Sequence, residues 1–445
     1  MKDKNVQIRN HILDLIENGQ VKTGERLPGA RKIAKELNSS FTHVQAVVES
    51  LVQCGVLNAV SRSGTYVAED WQKRTLPYNF SLYSGDRVEI LYQLADDISS
   101  KLGFRACRQF LYGFAELRVS HYLLSHYDEY LDLSDIFEEL FGDGDDFFMN
   151  VMKEFYVNGK LCGIPFIFSP RVILYNIDLF KRFNCPLPRP HWTAEEFMET
   201  ALRLREQMPP AHIFNWTPRL QNFASLFLRS GGRFFDPARC TSEFGTEKGL
   251  KGFDFLIKLR DLLGGVEVGA DDYLKMFVNG EAAMFHTARQ GLYQMRLLNS
   301  NVNACAVHLP HFPGGNDINL QAADLLCISR KCTDRNIARK LVAEALSEPI
   351  QDRLGQAQYG IPIRKSSAAK SLDLKSCYDS VFSEEIPRIS AAYNIFDPTL
   401  YRFLNSGIRR ICQLPHDRMV HEVRKLAEAS ELMIKIYDFE RNEQL

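Results

Sequence analysis

Between residues 5 and 18, Val6, Ile8, Ile12, Leu13, Leu15 and Ile16 fall largely on one helical face. Gly19 is placed to end that helix, because glycine adopts a left-handed stop without a Cβ penalty. The run Val21-Lys22-Thr23-Gly24-Glu25-Arg26-Leu27-Pro28 reads as a turn into a second helix over 30–37, with Ile33, Ala34 and Leu37 inward. Asn38-Ser39-Ser40 is a polar turn, and Ser40 can cap a third helix from Thr42 to Cys54. Val44, Val47, Val48 and Leu51 form the buried face of that helix, and Gly55 stops it. The stretch 56–60 predicts a strand, Arg62-Ser63-Gly64-Thr65 a hairpin turn, and 66–68 the returning strand. The pattern then changes. Residues 69–77 are polar and end in a proline, as a linker does; Trp71 and Pro77 are the residues able to stiffen it, and Trp71 could equally finish the core of the head. Residues 79–83 predict a strand, Ser84-Gly85-Asp86-Arg87 a turn, and Leu91, Leu94 and Ile98 the inner face of a helix. Strands and helices alternate from there to about residue 350, the order of an α/β body.

A length of 445 residues accommodates two or three domains, and 45% hydrophobic residues can fill their cores. With 54 basic and 55 acidic side chains, the chain is not a general coat for nucleic acid, although a small DNA-binding head remains compatible. The first 75 residues hold 11 Lys/Arg and 8 Asp/Glu, a net charge of +3 that suits phosphate contacts. No apolar run approaches the ~18–20 residues that span a bilayer, and residues 1–20 interleave charge with apolar positions, unlike a signal peptide. The expectation is a cytoplasmic protein with no membrane partner. Ten cysteines are scattered singly, which predicts reduced thiols rather than a disulfide framework.

Motifs for enzymatic chemistry are missing. No GxGxxG, GxxxxGK[ST] or GxSxG stands between a strand and a helix. Asp143, Asp145 and Asp146 lie on a polar loop and read as a solvated surface. His308 and His311 flank Leu309-Pro310, and the proline breaks the helix that would align them on a metal. No cofactor, no metal and no catalytic residue are therefore expected.

The order of helix, helix-turn-helix and β-hairpin is that of a winged helix-turn-helix. Gly24, Leu27-Pro28, Arg31-Lys32-Ile33-Ala34, Ser40, Leu51, Gly55 and Gly64-Thr65-Tyr66-Val67 resemble the GntR-type bacterial transcription regulators throughout residues 6–68. The resemblance implies a recognition helix in the major groove and a wing on the minor groove or backbone. Arg31 matches the family's arginine of the second helix, and Ser40, Phe41, Thr42, His43 and Gln45 fall at the start of the recognition helix. Arg62 and Gly64 form the wing tip. The family usually has arginines where this chain has Phe41 and Gln45; glutamine suits adenine and a phenyl ring suits a thymine methyl, which implies a different operator.

A second resemblance covers about residues 79–440. Asn158-Gly159-Lys160 through Pro165, Arg171-Val172-Ile173-Leu174-Tyr175-Asn176, His191-Trp192-Thr193, Gly231-Gly232-Arg233-Phe234-Phe235-Asp236 and Phe277 through Met284 follow one another in order. In that order they resemble the extracellular solute-binding proteins of carbohydrate uptake systems, the type II periplasmic-binding fold. The resemblance implies two α/β lobes with ligand in the cleft between them. By position it implies ligand contacts from Tyr83, Asp86, Arg87, Phe168, Ser169, Trp216, Gln221, Asn222, Arg289, Gln290 and Asp324. Gln290 stands where the family commonly has a stacking tryptophan, and Phe285 or Tyr293 could supply the missing ring.

The expected architecture is multidomain: a winged helix-turn-helix over 1–70, a linker over 71–78, and a two-lobed α/β sensor over 79–445. The implied function is a sugar-responsive transcription regulator, a homodimer on operator DNA with a carbohydrate as its small-molecule effector. The alternatives are a transport receptor for sugars, which would need export, and an aminotransferase-like body, for which no pyridoxal-lysine context appears.

Overall fold

In a computed structural model of the chain, residues 4–74, 79–82, 88–107, 114–236, 241–332, 334–390 and 398–443 are described. The head is built as the periodicity requires. Helices Lys4–Glu17, Ala30–Glu36 and Phe41–Gln53 enclose Ile8, Ile12, Leu13, Ile33, Val44 and Leu51, all nearly inaccessible to solvent. The hairpin Leu57–Val60/Gly64–Val67 closes this core, with Leu57 opposite Val67 and Val60 opposite Gly64. Trp71 begins a short helix, Trp71–Arg74, and is only 7% exposed within the head's core. The segment expected to be a linker therefore starts inside the head.

The body holds two sheets. The larger has six strands in the order Ile361–Pro362, Ile164–Pro170, Gln321–Ile328, Ala115–Val119, Asn79–Leu82, Arg105–Cys107. Asn79–Leu82 runs parallel to both its neighbours, and the other pairings are antiparallel. Ile164–Pro170 is buried along its whole length, which is why its sequence is a continuous apolar run rather than an alternation. The smaller sheet places Val172–Asn176 between Met284–Thr287 and Ala304–Val307, antiparallel to both.

The chain passes between the sheets twice within reach of one polar cluster. Arg171 alone separates Ile164–Pro170 from Val172–Asn176, and residues 308–320 return from the smaller sheet to the larger. Asn319 ties the two crossings: its side chain accepts from the Arg171 amide at 3.0 Å and donates to the Arg171 carbonyl at 2.8 Å. It also donates to Glu385 at 2.7 Å, and Glu385 pairs with Arg229 at 3.3 Å and Arg388 at 2.6 Å. Arg229 donates in turn to the carbonyl of Pro310 on the returning segment.

Head and body touch directly. Arg105 of the edge strand, whose side chain is 7% exposed, pairs with Asp14 and Glu17 of the first helix. Arg9 of the same helix donates to the carbonyl of Gly103 at 2.6 Å.

Candidate DNA-reading face and effector cleft

Ser40 caps the third helix: its Oγ accepts from the His43 amide at 3.2 Å, satisfying one of the exposed N–H groups of the first turn. Phe41, Thr42, His43 and Gln45 are all exposed there, a half-exposed phenyl ring included. Gln45 donates to Glu49 at 3.1 Å across one helical turn, which holds its amide along the helix. The exposed Arg31 guanidinium lies 6.0 Å from the Phe41 ring, linking the second helix to the start of the third. At the hairpin tip Arg62 has φ +60° and Gly64 φ +129°. A Cβ on Gly64 would meet Nε of Arg26 at 2.5 Å, so only glycine fits this backbone and this neighbour. Arg26 is a further exposed cation beside the wing; its position in a turn gave no sign of it.

Between the two sheets lies a cavity of about 700 Å³, within the range of small-molecule sites. The larger lobe supplies Ser120, Glu154, Gln321, Asp324 and Tyr359, and the smaller lobe Asp271, Phe285, Thr287, Gln290 and Gln294. Arg171 enters from the crossing itself. Four buried polar atoms on these walls, Arg171 Nε, Ser120 Oγ, Gln290 Oε1 and Gln321 Oε1, have no hydrogen-bond partner. Unsatisfied buried groups cost roughly 1–3 kcal/mol each, so a movement of the walls that brought a ligand's polar groups to them would recover that cost. Phe285 and Tyr359 add ring faces.

The electrostatics follow from burial. Glu154 accepts from Gln321 at 2.8 Å, yet desolvation pushes its carboxyl up to about 7. Its folded pKa therefore stands above its unfolded one near 4.5. The stability this gives is present below that unfolded value and is lost as pH rises through about 7. Glu154→Gln keeps the acceptor and removes the titration. Between pH 5 and pH 8 the wild type is expected to lose roughly 2.5 kcal/mol relative to this variant, read from urea unfolding at both pH values. Equal losses would show that Glu154 keeps an ordinary pKa. His286 is held near 3, first by burial and then by the charge of Arg171, and stays neutral. Burial lowers the Arg171 guanidinium as well.

One cluster among the described residues has metal-ligating types together: ligand atoms of His191, His308 and Glu384 lie within 4.8 Å of one another. His308 Nε2 is 3.0 Å from Glu384, while Arg388 donates to His191 at 3.5 Å. A guanidinium at that distance disfavours a second cation. His311, the partner weighed from sequence, pairs with Asp317 instead.

Comparison with known proteins matches these two parts to two families. Residues 4–67 match the GntR family of bacterial regulatory proteins, and residues 114–376 the family described as bacterial extracellular solute-binding protein. The chain belongs to the bacterial extracellular solute-binding protein family, with a GntR-family head. Solved structures similar to the solute-binding body include an ABC transporter solute-binding protein from Thermotoga lettingae bound with alpha-D-tagatose. It is 16% identical, with TM-score 0.68, over 81% of this chain and 99% of that one. The sugar-binding protein MalE from Xanthomonas citri is 15% identical, with TM-score 0.66, over 82% and 99%. UgpB from Mycobacterium tuberculosis, in complex with glycerophosphocholine, is 16% identical, with TM-score 0.66, over 81% and 99%. At these identities the likeness establishes the fold. No curated protein matches the chain.

Of the ligand contacts that the solute-binding resemblance implied, Gln290 and Asp324 line the cavity, and Phe285 does so as a ring beside Gln290. Arg289 needs correction. It is buried and turned into the fold, paired with Asp379 at 2.9 Å and donating to the carbonyls of Gly360 and Ser371. Ser169 is corrected likewise: its Oγ donates to the Pro170 carbonyl and accepts from the Arg289 amide, and the residue is wholly buried and not among those lining the cavity. Phe168 is fully buried against Phe148, and Trp216 is buried in the core; neither is among the residues lining the cavity. Tyr83, Asp86 and Arg87 lie outside the described residues, as do the side chains of Gln221 and Asn222. Sequence reasoning passed over Glu154, Gln321 and Arg171. For Arg171 the signal was available: a lone arginine between two buried apolar runs has no reason in a core.

No described helix is long and apolar enough to cross a membrane.

Proposed function

We propose that this chain is a sugar-responsive transcription regulator that acts in the cytoplasm by binding rather than catalysis. The observation that supports it best is a cavity of about 700 Å³ with unpartnered polar walls, set between two lobes, in a chain whose head is a GntR-type winged helix. Hydroxyl-rich ligands satisfy such walls, and Phe285 and Tyr359 offer faces for the C–H side of a sugar ring. Closure of the lobes around the ligand turns about the crossing at Arg171 and Asn319. The edge strand containing Arg105 contacts the head's first helix, so a lobe movement reaches the DNA-reading face through Arg105, Asp14 and Glu17. Two copies on a palindromic operator would feel this as a change in the spacing of their heads. Exposed Arg31, Thr42, His43, Gln45 and Arg62 read the operator, with Arg26 adding charge at the wing. A transport receptor is the other class with this body, and the DNA-reading head has no place in that role.

The test is a thermal-shift screen of the full chain against mono- and oligosaccharides. A sugar at ~100 times its dissociation constant should stabilise the body by about 2.7 kcal/mol. No shift across the panel would remove sugar sensing from the account.

A further inference from the structure

Resting on the reading of the cleft as a sugar site, we propose that its ligand is an acidic sugar whose phosphate or carboxylate group is held by Arg171. Arg171 forms the single-residue crossing between the lobes, and its amide and carbonyl are both fixed by Asn319, so its side chain is rooted in place at the cavity wall. Its Nε is sealed from solvent and makes no hydrogen bond, and among the described residues no carboxylate lies within ion-pair distance of its guanidinium.

The other buried arginines of the body show that this is unusual for the fold. Arg229 pairs with Glu385, Arg260 with Asp261, Arg289 with Asp379, Arg118 with Glu116, and Arg105 with Glu17. Only the arginine that faces the cavity lacks such a partner among the described residues. The carboxylates that share the cavity do not fill the role. Asp271 is exposed at the rim, Asp324 is already engaged elsewhere, and Glu154 bonds to Gln321. His286, the neighbour on which Arg171's charge acts, stays neutral and does not neutralise it.

A neutral sugar could bond to the guanidinium but would leave its charge uncompensated once the lobes exclude water, whereas an anion offsets it. The planar fork of arginine matches the two oxygens of a phosphate or carboxylate. Ser120, Gln290 and Gln321, with their unpartnered oxygens, then remain for the hydroxyls.

The experiment measures thermal midpoints of the full chain and of Arg171→Gln, first with inorganic phosphate replacing chloride at constant ionic strength. The wild-type midpoint should rise saturably and that of Arg171→Gln should not. Without ligand the variant should melt no lower than wild type, since an unpaired buried charge has been removed; this also shows that it is folded. Glucose, glucuronate and glucose 6-phosphate are then titrated into both proteins. The acidic sugar should bind wild type at least tenfold more tightly than glucose, and Arg171→Gln should lose that preference. The stronger of the two acids tells carboxylate from phosphate. The inference is overturned if phosphate shifts both proteins alike, or if glucose binds wild type as well as its acidic counterparts. If inorganic phosphate stabilises wild type through Arg171 and no sugar adds to it, the anion site stands and the sugar reading falls.

Discussion

Glu385→Ala is expected to destabilise the body by about 3–5 kcal/mol, because it breaks a buried ion pair and leaves one charge behind. Glu385 is wholly inaccessible and Arg229, its partner, nearly so. The carboxylate also receives the Asn319 amide at 2.7 Å and Arg388 at 2.6 Å, so one substitution strands three donors. The loss should appear as a lower urea midpoint, and Arg229→Met combined with Glu385→Leu should recover only the part due to the stranded Arg229 charge, because the Asn319 amide and Arg388 still lack the carboxylate. A single-variant loss under ~1 kcal/mol would show that the crossing between the lobes is held by its backbone and not by this cluster. The consequence reaches the cleft, because Asn319 is also what fixes the backbone of Arg171.

Arg105→Glu should uncouple the head from the body while leaving each folded. The wild-type side chain lies between Asp14 and Glu17; reversal puts a carboxylate against the nearly buried Glu17 and the more exposed Asp14. Like charges there push the first helix off the sheet edge, and the Arg9 bond to Gly103 is too slight to hold it. Coupling between sites is typically ~1–3 kcal/mol, or about 5–150-fold in affinity. The sugar-dependent change in operator affinity should shrink toward nothing in Arg105→Glu, with sugar affinity itself unchanged. A full response in the variant would place the coupling in the segment joining the domains, or between subunits.

The head was legible because its determinants are local. Ser40 caps three residues ahead, Gly19 and Gly55 supply left-handed stops, and the apolar positions of each helix meet within sixty residues. Trp71 showed the limit of local reading: polar neighbours left it open whether the ring stiffens a linker or completes the head's core, and the structure places it in that core. In the body the alternation of strands and helices gave the architecture, but not which charges are spent. Arg289 was expected in the cleft because a charge there has little use in a core, yet its partner, Asp379, lies 90 residues on. Ser169 is consumed by a neighbouring carbonyl and by the amide of a residue 120 positions away. Arg171 is the converse: its place between two apolar runs was readable, but its missing partner is visible only once both sheets and the Asn319 crossing are assembled.

The central claim is that a ligand in the body changes how the head holds DNA. It is tested most directly by fluorescence anisotropy of the full chain on an operator duplex that the protein itself selects from a random library. Affinity is measured with and without the stabilising sugar, at fixed salt because phosphate contacts make any such affinity salt-dependent. The account predicts a change of about 5–150-fold in operator affinity. The same affinity in both conditions, with the sugar shown to be bound, would contradict it.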